Sequence, residues 1–264
     1  MDLGLRGKRA LVTGSTGGIG WATAHGLAAE GAAIVINGRT PERVEAAVAR
    51  MRESLPDAIV DGIAADLGTA AGCACLIERL PQVDVLVNNL GIIGMQRFED
   101  VGDEEWLHMF EVNVMSGIRL SRHYLAGMRQ RDWGRVVFVS SESGLQVPAD
   151  MLHYSVTKTA QLTVARGLAE MLAGTGVTVN SVLPGPTVSE GVGRFLSRMA
   201  AKQQLDIEQV KKEFLGRMGP TSVIRRFASP EEIAAMIVYV CSARASATTG
   251  AALRVDGGMI RAVM

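Results

Sequence analysis

"RALVTGSTGGIG", residues 9–20, is the stretch on which the fold turns. A short apolar run, 9–13, ends in a cluster of glycines, and a helical pattern follows at once. Gly14 allows a tight turn, while Gly18 and Gly20 let the backbone approach a pyrophosphate and let the helix pack closely on a sheet. The first turn of that helix offers N–H groups to an anion. Glycines also serve ordinary turns; the place of this cluster, between a first strand and a first helix, makes it a dinucleotide-binding signal. The spacing is T-G-x-x-x-G-x-G, with Ser15, Thr16 and Ile19 between the glycine positions and Gly17 as an extra glycine.

Outward from that point, short β-rich runs alternate with longer helical patterns. The further strand candidates are 33–37, 58–64, 83–88, 135–140, 177–183 and 252–256. Most are continuous apolar runs, the pattern of strands buried on both faces, which predicts an α/β fold with a parallel sheet between helices. Helical patterns fill the intervals, notably 103–130, 153–173 and 230–242. The last begins with Ser229 as N-cap, Pro230 at the first helical position and acids in the first turn. The length suits a single domain, 1–264, in which the interval 189–229 breaks the rhythm and reads as a substrate-binding lid.

Composition narrows the classes. Basic and acidic residues cancel at 27 each, which gives no electrostatic reason to expect nucleic acid or an anionic membrane as partner. Cys73, Cys75 and Cys241 are too few for a disulfide framework and fit a reducing compartment. The C-x-C pair has no second pair or nearby histidine, so no metal is expected. Residues 1–20 carry no signal peptide, and no apolar stretch is long enough to span a bilayer. The expectation is a cytoplasmic protein without a membrane partner.

The glycine motif is followed by "NNLG" (88–91), Asn113, Ser141, Y-x-x-x-K (154–158) and "PG" (184–185). In this order they resemble the short-chain dehydrogenase/reductase family, and within it members of the 3-oxoacyl-[acyl-carrier-protein] reductase type. The resemblance runs through "RFASPEEIA" (226–234) to "VDGG" (255–258). It implies a doubly wound, seven-stranded Rossmann sheet, a nicotinamide cofactor and usually a homotetramer.

The end of the second strand bears on which cofactor is used. NAD-binding members generally place an acid where this chain has Gly38, followed by Arg39. A guanidinium can hold a 2′-phosphate in bidentate fashion, so NADP(H) is expected; the alternative is a solvated loop arginine. Asp66 and Leu67 match the family's adenine-contacting position, or Asp66 is a simple turn residue. Asn88 and Asn89 are expected to support the sheet centre and the adenosine side, Leu90 stands where the family usually has a small residue, and Gly91 completes the cofactor-binding motif. Pro184 and Gly185 resemble the segment that covers the nicotinamide, with Thr187 and Ser189 both candidates for its carboxamide.

A free phenol has a pKa of about 10, too high to accept a proton readily at neutral pH. Lys158 shares a helical face with Tyr154, and its ammonium is expected to lower that value. Tyr154 then reads as general acid in reduction and general base in oxidation. The resemblance implies that Lys158 also bonds the nicotinamide ribose, that Ser141 is the catalytic serine, and that Asn113 kinks its helix and anchors a water in a proton relay to the lysine. Strand alternation places the neighbouring Ser140 on the opposite face from Ser141.

The substrate walls are expected from 91–96, 142–148, 151–153 and the lid. Glu142 either binds a polar group or points to solvent, and His153 either contacts substrate or packs. The lid carries Phe195, Leu196, Met199, Phe214, Leu215 and Met218 as an apolar cover. Its eight basic residues, among them Arg194, Lys202 and Arg217, against four acids either attract an acidic substrate or carrier protein or form a solvated helix face. The leading reading is an NADPH-dependent reductase of a small-molecule carbonyl, a ketone or 3-oxoacyl compound. Its alternatives are an alcohol or sugar dehydrogenase, and a non-catalytic NADP(H) sensor, against which the full set of Asn113, Ser141, Tyr154 and Lys158 counts.

Overall fold

The apolar runs form seven strands: β1 (Arg9–Val12), β2 (Ala33–Gly38), β3 (Val60–Ala64), β4 (Val85–Asn88), β5 (Gly134–Val139), β6 (Val177–Pro184) and β7 (Ala252–Val255). Every pairing is parallel, in the order β3-β2-β1-β4-β5-β6-β7. This computed structural model describes residues 1–188, 190–218 and 221–263. The expectation for Ser189, and those for the side chains of Arg194, Phe195, Lys202, Phe214, Leu215, Arg217 and Met218, lie outside the described residues.

Helices cover both faces because successive strand residues point opposite ways. Ala10 and Val12 join an apolar cluster with α1 (Gly18–Ala29), α2 (Pro41–Ser54) and α9 (Pro230–Cys241). Leu11, between them, joins the opposite cluster with α3 (Ala70–Arg79), α5 (Ser116–Gln130) and α6 (Leu152–Met171). The α9 N-terminus is a capping box: Ser229 Oγ accepts from Glu232 N at 3.2 Å, and the Glu232 carboxylate accepts from Ser229 N at 2.8 Å. The chain winds one way from β1 through β2 and β3, and the other way from β4 onward. That reversal opens a crevice beyond the C-terminal ends of β1 and β4.

The pattern over 103–130 is not one regular helix. α4 (Asp103–Phe110) passes through a π-helical turn, Glu111–Met115, before α5 begins. An inserted π-turn widens the helix locally and often marks a functional position; this one holds Asn113. Within 189–229, α7 (Glu190–Gln203) and α8 (Ile207–Met218) share a small core of Leu196, Ala200 and Val210, with Met95 packed against it. No helix among the described residues is long and apolar enough to cross a membrane.

Candidate active site

The glycine loop is held from beneath. Gly14 has φ +61°, a left-handed conformation open to glycine. Ser15 is fully buried. Its hydroxyl donates to Val12 O at 2.6 Å and accepts from Asn37 N at 3.0 Å, which ties the loop to β2. Asn89, just past β4, donates from Nδ2 to Thr13 O at 2.9 Å and Gly14 O at 3.2 Å. Thr13 Oγ1 in turn accepts from Asn89 N and Leu90 N, both at 2.9 Å. The loop and the end of β4 are therefore one rigid unit. A Cβ at Gly20 would fall 2.5 Å from Asn89 Nδ2 and 2.6 Å from Gly14 O, so only glycine permits the approach.

The facing wall follows β5 and α6. Ser140 Oγ donates to Lys158 O at 2.8 Å. Ser141 Oγ accepts from Ser143 N at 3.1 Å and is bonded to Glu142 Oε2 at 2.7 Å. The two serines thus diverge as strand alternation requires. Ser141 and Tyr154 line the same cleft. Lys158 is buried, donates from Nζ to Val139 O at 3.0 Å and Gln161 Oε1 at 3.2 Å, and sits 5.6 Å from the centroid of the Tyr154 ring.

Asn113 is committed on every side. Its Oδ1 accepts from Ile92 N at 2.7 Å, while Nδ2 donates to Ile92 O and Thr157 Oγ1, both at 3.0 Å. These bonds pin the loop after β4 to the π-turn and to α6. The Asn113 main-chain carbonyl accepts from Gln161 Nε2 at 2.5 Å. Gln161 therefore joins Asn113 to Lys158 through its own side-chain amide.

Burial governs the protonation of this wall. Desolvation pushes the Tyr154 hydroxyl above its ordinary value, and the Glu142 carboxyl adds to the rise against the opposing Ser141 hydroxyl. Desolvation pulls Lys158 down to about 8, with Glu142 opposing. Glu142 itself is raised by burial, although bonds from Ser141 and Ser143 favour its charged form. The expected lowering of Tyr154 by Lys158 is corrected here: loss of hydration, with the Glu142 carboxyl beside it, raises the value instead, and Tyr154 is held as a protonated phenol.

The two walls face one cleft of about 750 Å³, within the range of small-molecule sites. Gly14, Thr16, Gly18, Ile19 and Gly20 line one part of it, with Arg39, Asp66 and Leu67. Asn89, Gly91, Ser141, Tyr154, Lys158, Pro184, Gly185 and Thr187 line the remainder. Comparison with known proteins agrees with this geometry. The family model described as enoyl-(acyl carrier protein) reductase matches residues 14–260. The uncharacterized oxidoreductase YvaG of Bacillus subtilis (strain 168) is 47% identical over 263 residues, 100% of each chain. The 3-oxoacyl-[acyl-carrier-protein] reductase FabG of Aquifex aeolicus (strain VF5) is 32% identical, covering 98% of this chain and 100% of that one. The structure of L-sorbose reductase from Gluconobacter frateurii, complexed with NADPH and L-sorbose, superposes with a TM-score of 0.92 at 32% identity, covering 100% of both chains.

The chain belongs to the short-chain dehydrogenase/reductase family. It is accordingly an oxidoreductase of the carbonyl–alcohol couple that works with a nicotinamide cofactor. The residues of this short-chain dehydrogenase/reductase fit such a dinucleotide. Beyond the opening at Gly20, a Cβ at Gly91 would come within 3.4 Å of Lys158 Nζ and Asn113 Oδ1, so glycine there keeps the lysine approachable.

Two of the expected site residues stand behind the wall: Ser15 and Asn113 shape the site through hydrogen bonds. Asp66 both lines the cleft and makes its turn, accepting from Gly68 N at 3.1 Å. Thr187 Oγ1 donates to Gly185 O at 2.9 Å, which leaves its lone pairs as acceptors. Glu142, left open by the sequence, is buried at the cleft wall. His153 packs edge-on to Trp106, with ring centroids 6.0 Å apart, and is only 1% exposed. Sequence reasoning missed Arg43 and Gln161. Arg43 lies one helical turn beyond Arg39, and Gln161 three residues beyond Lys158, so helical spacing carried a signal for both. Arg198 of α7, one of the eight basic residues of 189–229, lines the cleft.

Proposed function

We propose that the chain is an NADP(H)-dependent carbonyl reductase acting on a ketone or 3-oxoacyl compound, with Tyr154 as its acid. The observation that carries this reading is the half-buried Tyr154 side chain, its phenol kept protonated by desolvation beside Ser141 and on the same cleft as the glycine loop. Bound NADPH supplies the hydride. Ser141 holds and polarises the substrate oxygen, and Tyr154 gives it a proton. Lys158 orients the nicotinamide ribose and receives support from Gln161 and Asn113. The glycine loop, Asn89, Asp66 and Leu67 hold the dinucleotide, with Pro184, Gly185, Thr187 and Ser189 over its nicotinamide.

The preference for NADP(H) has two supports. Arg39 and Arg43 line the same part of the cleft, which suits a dianionic 2′-phosphate. At Gly38, moreover, a Cβ would lie 2.5 Å from Thr16 Cγ2 and 3.1 Å from Val44 Cγ2. A side chain there would crowd Thr16 and Val44, which disfavours the acid that would grip an NAD ribose. The lid reading is supported by Val192 and Arg198 of α7, which line the cleft. A homotetramer is supported by unpartnered apolar side chains on the outer helices: Leu107 is 70% exposed and Met171 74%. By contrast Met109, Val112, Leu120 and Ala165 belong to the core, while Leu162 and Leu168 are half-buried. The unpaired cysteines suit the reducing cytoplasm.

The test is a screen of NADPH oxidation against ketones, 3-oxoacyl thioesters, keto acids and ketoses, run also in reverse with the matching alcohols. Turnover of one class at a kcat/KM above about 10⁴ M⁻¹s⁻¹ would be ordinary for an enzyme on its own substrate. Tight NADPH binding with no turnover of any class would leave the sensor reading standing instead.

A further inference from the structure

Glu142 is an unusual neighbour for a catalytic wall. Its side chain is buried, yet it lines the cleft, and both carboxyl oxygens are hydrogen-bonded within its own turn. Ser141 Oγ lies 2.7 Å from Oε2, and Ser143 Oγ lies 3.3 Å from Oε1. The consequence follows from counting valences on Ser141. A hydroxyl has one proton and two lone pairs. One lone pair of Ser141 already accepts from Ser143 N at 3.1 Å. If Glu142 is a carboxylate, it can only accept, and it claims the single Ser141 proton. If Glu142 is a carboxylic acid, it donates into the second Ser141 lone pair, and the serine proton is released toward the cleft.

We propose that Glu142 works as a neutral carboxylic acid whose hydrogen bond into Ser141 turns the serine hydroxyl toward the substrate oxygen. The inference rests on the reading of Ser141 and Tyr154 given above, and it makes Glu142 a positioning residue that acts through Ser141. Microscopic reversibility requires the same orientation in both directions, because the substrate oxygen accepts from Ser141 as ketone and as alcohol.

Burial and the Tyr154 oxygen favour the neutral form, against the Lys158 ammonium and the Ser141 and Ser143 hydrogen bonds, which favour the carboxylate. Among the described residues, α6 and β6 pack most closely against the Glu142 turn. β6 brings no titratable residue. α6 turns Tyr154 and Lys158 toward Glu142, whereas its His153 faces Trp106, and its Arg166 and Glu170 lie two and three turns further on. When Tyr154 gives up its proton, a carboxylate beside the new phenolate would be a second negative charge in a desolvated site, which is unfavourable. A neutral acid avoids that repulsion and contributes a donor as well. Burial raises the carboxyl above its ordinary 4.5 in the same sense.

The test compares Glu142→Gln, Glu142→Leu and Tyr154→Phe with wild type. Glu142→Leu removes the orienting donor, and kcat should drop about 10- to 100-fold, the usual scale for losing a partner that orients a reacting group. Glu142→Gln retains an N–H donor toward Ser141 and should recover most of that loss. The wild-type kcat should fall as pH rises through the Glu142 titration, above 4.5, and the Gln variant should lack that break. A second readout is independent of turnover. A raised folded-state value gives stability that is fully present below the unfolded value and lost as pH climbs through the folded one. Chemical unfolding should show this loss in wild type and not in Glu142→Gln. Gln as damaging as Leu, or matching pH profiles for wild type and Gln, overturns the proposal while leaving the Tyr154 reading intact. Undiminished turnover in Tyr154→Phe would instead remove the acid on which both readings depend.

Discussion

Lys158 is predicted to be held at a cost in stability that depends on pH. Its ammonium is buried, and desolvation lowers its pKa from 10.5 to about 8. For a base with a depressed folded-state value, stability is greatest above the unfolded value and falls as pH drops through the folded one. At pH 7 the group is charged in both states, and the penalty is about 3 kcal/mol by proton linkage. At pH 9.5 it is neutral in the folded protein and mostly charged in the unfolded chain, and the penalty shrinks to about 1 kcal/mol. Lys158→Met deletes the titration. It also removes the donor to Val139 O and Gln161 Oε1, and the pH-dependent part of that loss is already contained in the folded-state value. The stability difference between wild type and variant should therefore shift by about 2 kcal/mol in favour of wild type between pH 7 and 9.5. The assay is urea unfolding at several pH values and fixed ionic strength, without nucleotide, with equal m-values as a check on two-state behaviour. Parallel stability curves would refute the reasoning, because they would mean that Lys158 is as well solvated folded as unfolded.

Four further outcomes are expected. Tyr154→Phe should lower kcat by about 10²–10⁴-fold with NADPH affinity nearly unchanged, as measured by stopped-flow turnover and nucleotide titration. Arg39→Ala should erase most of the NADPH preference over NADH, about 10- to 150-fold in kcat/KM, by weakening NADPH alone; a wild type that favours NADH would place the selectivity elsewhere. Gly20→Ala should abolish nucleotide binding in calorimetry while the chain still folds, because the new methyl collides with Asn89 Nδ2 and Gly14 O, at 2.5 and 2.6 Å. Light scattering at micromolar concentration should give a tetramer, and a monomer would leave Leu107 and Met171 without the proposed cover.

Much of the architecture was legible because it depends on local pattern. Buried parallel strands need continuous apolar runs, and all seven lie within about two residues of those runs. The divergence of Ser140 and Ser141 follows from strand alternation, and the shared face of Tyr154 and Lys158 from helical spacing. The capped start of α9 could be read from Ser229, Pro230 and Glu232 because a capping box is complete within four residues.

What remained hidden depends on contacts between distant segments. The helical period of 103–130 gives no sign of the π-turn at Glu111–Met115, which accompanies bonds from Asn113 to Ile92 and Thr157, 21 and 44 residues away. Gln161 is an ordinary polar residue until folding sets its amide between Lys158 Nζ and the Asn113 carbonyl. Glu142 reads equally well as solvated or buried, and only the packing of its turn against α6 and β6 decides. The sequence alone thus determined which residues share a strand, a helical face or a turn, because backbone geometry repeats over a few residues. The tertiary structure alone decided how those groups are charged. Desolvation depends on every segment folded around a side chain, and here it reversed the expected direction at Tyr154.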